Sequence, residues 1–214
     1  EANPSYTYTQ AGTYTVQLTA SSGDESSIVT KEVTVAQATA STSLQNGDFS
    51  DTSAWTIITQ NASGNGKLTI SNGVAVFDEA IDVASGSWGS EAHMAMYQAV
   101  VVESGDYQFD MDITTKGIDE AWFEVWVGTS KPIDGVEYKE DTGAVKVLSF
   151  NAWDCGDIKT YSGKATASGC DTKSNPGKFE ITTAGTYYLL FRTGGATYGT
   201  SSVVIDNVSL LKIN

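Results

Sequence analysis

The chain has 214 residues, with 26 acidic against 12 basic side chains, a net charge of −14, and one histidine, His93. A single arginine, Arg192, and this charge leave no cationic surface for nucleic acid or for polyanionic glycans. One imidazole excludes His-rich metal cages and most Ser-His-Asp triads. At 40% apolar residues the chain is long enough for a sizeable core, and no apolar run approaches the ~20 residues of a membrane helix.

In chain order, residues 1–37 read as one piece, 38–45 as an Ala/Thr/Ser-rich linker, and 46–214 as the main body. Three strands share the same opening, Gly-x-Tyr. Gly12-Thr13-Tyr14 leads to Val16 and Leu18, Gly105-Asp106-Tyr107 to Phe109, Met111 and Ile113, and Gly185-Thr186-Tyr187 to Leu189 and Phe191. The alternation of large apolar residues predicts strands, the first two with one face on a core and one on water. No stretch has a helical period. The expected fold class is all-β, built of sandwiches.

The chemistry centres on AWFEVWV, residues 121–127. Alternation places Phe123, Val125 and Val127 on one face and Trp122, Glu124 and Trp126 on the other. A glutamate beside two tryptophans predicts a wet face, because an unpaired buried carboxylate is costly. Tryptophans four residues apart lie ~13 Å from each other on a strand, a spacing that suits stacking on sugar rings. A hairpin through 114–120 would set Gln108, Asp110 and Asp112 beside them. On the Tyr187 strand, Tyr188, Leu190 and Arg192 face the same way, with Arg192 a candidate hydroxyl donor and stacker. Trp88 and Trp153 are candidate groove walls. The alternatives remain open: core tryptophans with Glu124 at an edge, Arg192 as a surface cation, and loop tryptophans that plug the end of a sandwich.

Asp119, Glu120 and Glu124 cluster in sequence, but no nucleophile elbow, phosphate loop or His-based zinc motif accompanies them, and His93 reads as structural. The expectation is a binder, not an enzyme. A chain that opens at Glu1 without an apolar leader reads as a trimmed fragment of an exported protein. In that setting Cys155 and Cys170 read as a disulfide closing a loop, worth ~3 kcal/mol; two free thiols are the alternative.

Residues 3–36, with Pro4-Ser5-Tyr6-Thr7-Tyr8 and Ala11-Gly12-Thr13-Tyr14-Thr15-Val16, resemble the C-terminal part of a PKD domain, an Ig-like spacer whose first strands are missing here. The body opens with NGDFSDTSAW at 46–55 and closes with VVIDNVSLLKIN at 203–214. With Ser71-Asn72-Gly73-Val74 between them, these motifs resemble carbohydrate-binding modules of families four and nine. The resemblance implies a β-jelly roll that binds neutral polysaccharide, laminarin-type β-glucan or xylan, as a monomer. The order of modules is similar to surface glycan-binding proteins of Bacteroidetes and implies an extracellular location. It also implies a structural Ca²⁺ held at Asp48, Gly73 and Asp206, with Asp51 replacing the acid that Ser50 lacks. The competing readings are an accessory module of a larger glycoside hydrolase and an adhesive sandwich without a sugar site.

Overall fold

The structure, a computed structural model, describes residues 6, 8, 12–35, 39–40, 44–62, 67–78, 92–116, 119–151, 160–168, 176–197 and 202–213. The chain divides between Thr39 and Ala40 into two compact units. In the first, β1 (Gly12–Ser22) and β2 (Glu25–Val35) form an antiparallel hairpin in unbroken register from Gly12↔Val35 to Ser22↔Glu25. Gly23, at φ 61°, takes the turn position where a two-residue hairpin loop needs positive φ. Val16 and Leu18 do not face a core, contrary to their alternation. Leu18 is 57% exposed, because among the described residues the two strands have no second layer over them.

The boundary falls within the two-residue β3 (Thr39–Ala40), and the second unit continues with β4 (Thr56–Ala62), β5 (Lys67–Ser71), β6 (Val74–Asp78), β7 (Ala92–Val102), β8 (Gly105–Lys116) and β9 (Asp119–Gly128). After these come β10 (Val145–Asn151), β11 (Thr160–Lys164), β12 (Lys178–Ile181), β13 (Gly185–Thr197) and β14 (Ser202–Lys212). Only two single-turn 3₁₀ helices, Glu140–Thr142 and Ala165–Ala167, interrupt the strands among the described residues. One antiparallel sheet has the order β10-β9-β13-β7-β4. The other runs β11-β8-β14-β6-β5, with β12 paired along the start of β8.

The inner faces carry the residues that the alternation placed there. Phe109, Met111 and Ile113 from β8 meet Phe123 and Val125 from β9 and Phe191 from β13, all essentially inaccessible. Each such side chain contributes about 1.5–3 kcal/mol by leaving water. The first and last segments of the unit lock together at Gly47. Val208 donates its N–H to the Gly47 carbonyl at 2.8 Å, and a Cβ on Gly47 would sit 2.2 Å from the Val208 oxygen.

The expected hairpin between the Tyr107 and Trp122 strands is corrected. Although β8 ends at Lys116 and β9 begins at Asp119, the two strands belong to different sheets: β8 pairs with β11 and β14 while β9 pairs with β10 and β13. Asp110 therefore stands on the opposite sheet from Trp122. Its carboxylate accepts from Thr166 Oγ1 at 2.9 Å and from the Met111 amide at 2.9 Å, which makes it an anchor for the Ala165–Ala167 turn.

Candidate functional site

The outer face of the five-stranded sheet holds the tryptophans. Register sets Glu124 across from Arg192, Trp122 across from Gly194, and Trp126 across from Leu190, with Ala95 and Tyr97 of β7 on the other side of Arg192 and Leu190. Gly194 makes room for the Trp122 indole: a Cβ there would lie 2.5 Å from His93 Cδ2 and 2.6 Å from Trp122 Cζ2.

Arg192 organises the face. Its Cζ is 4.8 Å from the Trp122 ring centroid and 5.2 Å from that of Trp126, within cation–π range of both. Its Nε and Nη2 each donate to Glu124 Oε2 at 2.8 Å, and its Nη1 donates to Glu137 Oε2 at 2.8 Å. Glu124 also accepts from Trp126 Nε1 and Lys146 Nζ, both at 2.9 Å. Glu137 is bonded to His93 Nδ1, and the His93 ring meets Trp122 edge-on at 5.1 Å. Tested against the expectation of a free hydroxyl donor, Arg192 is instead engaged with two carboxylates.

The expectation of a wet face is corrected over half its length. Trp126 is 1% exposed, and Glu124 and Arg192 are each 9% exposed. The cause is the β9–β10 connection, residues 129–144, which runs back over the face. Tyr138 and Ala144 pack with Trp126, Leu190, Tyr97 and Ile58 in a second cluster separate from the main core. At its far end the Thr59 amide donates to Asp134 Oδ1 at 2.8 Å and the Gly135 amide donates to the Thr59 carbonyl at 2.7 Å. Burial, followed by the neighbouring Tyr188, pushes the Tyr138 phenol up to about 12. Trp126 is thus not an open platform in this arrangement, and Glu124 is tolerated because three donors satisfy it.

Two parts of the face stay accessible on either side of this strap. One holds half-buried Trp122 with His93 and Glu137. The other is a cleft of about 360 Å³ lined by Gln45, Thr56, Tyr97, Ala99, Lys131 and Tyr188, at the small end of ligand pockets (about 300–1,000 Å³). Tyr97 and Tyr188 meet there in a T arrangement at 5.9 Å, and one wall is fixed by Gln98, which exchanges two 2.7 Å hydrogen bonds with the Gln45 backbone. Of these residues the sequence pointed to Trp122, Tyr188 and Arg192. Glu137, Tyr138 and Lys131 belong to an aperiodic segment, and no sequence pattern marks them. Trp88, Trp153, Cys155 and Cys170 lie outside the described residues.

The surroundings of Glu124 and Glu137 favour their ionised forms. For Glu124, burial alone would raise the carboxyl, but Arg192, Lys146 and the Trp126 N–H outweigh it and hold it below the ordinary glutamate range. Glu137 is lowered first by the hydrogen bond from His93, against burial, and further by the charges of His93, Arg192 and Lys139. Neither carboxyl is a proton donor near neutral pH, whereas glycoside hydrolysis needs one of its acids raised.

At the expected calcium position, Asp48 accepts from the Ser50 amide at 3.1 Å and hydroxyl at 2.8 Å, and Asp51 accepts from both groups of Ser53 at 2.8 Å. Those bonds hold both carboxyls below their ordinary value. Asp206 accepts from the Asn207 amide at 2.6 Å. The Asp48 carbonyl lies 3.6 Å from where a Gly73 Cβ would be. Among the described residues no three His, Cys, Asp or Glu side chains converge as metal ligands.

No protein-family profile and no curated sequence matches the chain. Among solved structures it is similar to TmCBM61 in complex with β-1,4-galactotriose, at 14% identity over 79% of this chain and 97% of that one, TM-score 0.40. It is also similar to a structure of carbohydrate-binding modules from the β-sandwich superfamily, at 15% over 97% of this chain and 77% of that one, TM-score 0.41. A third is LamA from Z. galactanivorans with laminaritriose and laminaritetraose, at 12% over 77% of this chain and 96% of that one, TM-score 0.40. No helix among the described residues is long and apolar enough to cross a membrane.

Proposed function

We propose that this protein binds a neutral polysaccharide without cleaving it, on the outer face of the five-stranded sheet. The observation that carries the reading is the partly buried Trp122 indole, held against Arg192 and His93 on a strand surface. A preset aromatic plane beside fixed polar groups is what the apolar face and the hydroxyls of a pyranose require. The Tyr97–Tyr188 cleft supplies a second aromatic contact for the same chain. Both carboxylates nearby are neutralised by Arg192 and its partners, so the face offers little net charge to attract a charged sugar.

The finer reading follows the sequence resemblance: a β-glucan of the laminarin type, a jelly-roll module on a bacterial surface protein, and a PKD-like spacer before it. Native affinity electrophoresis against laminarin, mixed-linkage glucan, xylan, mannan and alginate tests it. Retardation by a neutral glucan that is lost in Trp122→Ala or Tyr188→Ala is the expected result. Retardation by alginate alone would overturn the neutral-ligand reading, and none by any glycan would overturn carbohydrate binding. The burial of Trp126 favours a second reading, a structural sandwich without a sugar site, and that last outcome would select it.

Calcium is proposed as a structural ion on hard oxygen donors, with Asp206 and the Asp48 backbone as the residues that would hold it. The local engagement of Asp48 and Asp51 leaves backbone oxygens as the main donors. A rise in Tm with millimolar Ca²⁺, reversed by EDTA, is expected; an unchanged Tm would remove the ion from the account.

A further inference from the structure

We propose that the cleft lined by Tyr97, Tyr188 and Lys131 is a subsite for one carboxylated sugar, a uronic acid carried as a branch or end unit of the polysaccharide. This rests on the carbohydrate reading of the same face and adds a single acidic unit to an otherwise neutral chain. The decisive side chain is Tyr97. Its ring packs with Trp126 and Leu190, and the residue is 8% exposed. Its hydroxyl makes no hydrogen bond within the protein, yet it is not sealed from solvent where the residue lines the cleft. The adjacent Gln98 is also buried, but both ends of its carboxamide are satisfied by the Gln45 backbone. A polar group set in a buried aromatic cluster without an internal partner is matched by one from outside.

The groups around that hydroxyl are of one kind. The Gln45 carboxamide, the Thr56 and Tyr188 hydroxyls and the Lys131 ammonium also line the cleft, and none has a hydrogen-bond or ion-pair partner among the described residues. No acidic side chain lines it, in a chain with 26 of them, whereas the Trp122 end of the face carries Glu124 and Glu137. All five groups can donate, and Lys131 can only donate. Such a set suits an acceptor-rich anion, because charge-assisted hydrogen bonds to a carboxylate are about twice as strong as neutral ones. The Tyr97 and Tyr188 rings, 70° apart, give the pyranose an apolar corner. At about 360 Å³ the cleft has room for one unit rather than a run of them. Six residues of β13 separate Tyr188 from Gly194, the register partner of Trp122, or ~20 Å. A main chain on Trp122 and an acidic unit in the cleft therefore do not compete. Charge keeps the acidic units few. The net −14 repels a polyuronate, but one carboxylate beside Lys131 meets a local cation while acids beyond ~10 Å are screened.

The test uses the full ¹⁵N-labelled chain and four small probes: methyl glucuronide and methyl galacturonide, each beside its neutral methyl glycoside. The amides of Thr56, Tyr97, Lys131 and Tyr188 should shift with at least one uronide, at an affinity about fivefold or more above that of its neutral counterpart. Lys131→Gln should bring that ratio close to one, and Lys131→Arg, which keeps the charge, should hold it above one. A ratio near one for both pairs in wild type overturns the proposal. So does a preference that survives Lys131→Gln, shifts confined to the Trp122 end, or no shift with any probe. In each of these cases, retardation of wild type by a neutral glucan leaves the carbohydrate reading standing. Absence of retardation by every polysaccharide would instead overturn that reading, and the assignment of the cleft to a polysaccharide branch with it.

Discussion

Arg192 lies with its guanidinium 4.8 Å from the Trp122 ring centroid while three of its N–H groups are spent on Glu124 and Glu137. It stacks against the indole while these carboxylates hold it in place. Arg192→Met should leave Glu124 with only Lys146 and the Trp126 N–H as partners. Removing one member of a buried ion pair destabilises by about 3–5 kcal/mol, and the surviving Lys146 contact places the expected loss at the low end. Urea denaturation measures it. A loss below about 1 kcal/mol would mean that the network behaves as a surface ion pair.

The same network predicts an acid limb. The Glu124 carboxyl is lowered in the folded protein, so its stabilisation is complete above the unfolded glutamate value of about 4.3 and disappears as pH falls through the lower folded value. Glu137 acts in the same direction, attenuated by its greater exposure. Denaturant midpoints between pH 7 and pH 3 should fall more steeply for wild type than for Glu124→Gln, which starts lower at pH 7. Parallel slopes would show that the many other acids, and not this pair, govern acid unfolding.

Much of the fold was legible in the chain. The inward sets Tyr107, Phe109, Met111, Ile113 and Phe123, Val125, Val127 follow from period-two alternation, which depends only on neighbours two residues apart. Two things were not legible. The short gap between Lys116 and Asp119 reads as a hairpin, but β8 and β9 belong to different sheets, and sheet choice is decided by packing between distant segments. The burial of Trp126 comes from residues 129–144, an aperiodic stretch tethered to Thr59, some seventy positions away in the chain. A glutamate between two tryptophans reads as wet by composition, and only the placement of Arg192 and Lys146 shows how it is accommodated when buried.

Closure of the sandwich makes Gly47 a sensitive position. A methyl group there meets the backbone oxygen of Val208, which cannot swing aside as a side chain can. Gly47→Ala should lose the Val208–Gly47 hydrogen bond and destabilise by about 2 kcal/mol or more, seen as a lowered Tm. An unchanged Tm would mean that the 46–55 segment is not needed to hold β14 in place.

Gly194→Ala separates binding from stability. The new Cβ would stand 2.5 Å from His93 Cδ2 and 2.6 Å from the Trp122 ring, both side-chain atoms that can move. The fold should therefore survive with a cost of about 1–3 kcal/mol for overpacking. The Trp122 plane, however, should tilt away from Arg192. One misplaced stacking contact of about 0.5–1.5 kcal/mol lowers glucan affinity up to about tenfold. Isothermal titration with laminarin beside urea unfolding reads both quantities on one sample. Unchanged affinity in a protein whose stability has fallen would move the sugar contact from Trp122 to the Tyr97–Tyr188 cleft, where Tyr188→Ala should then abolish binding.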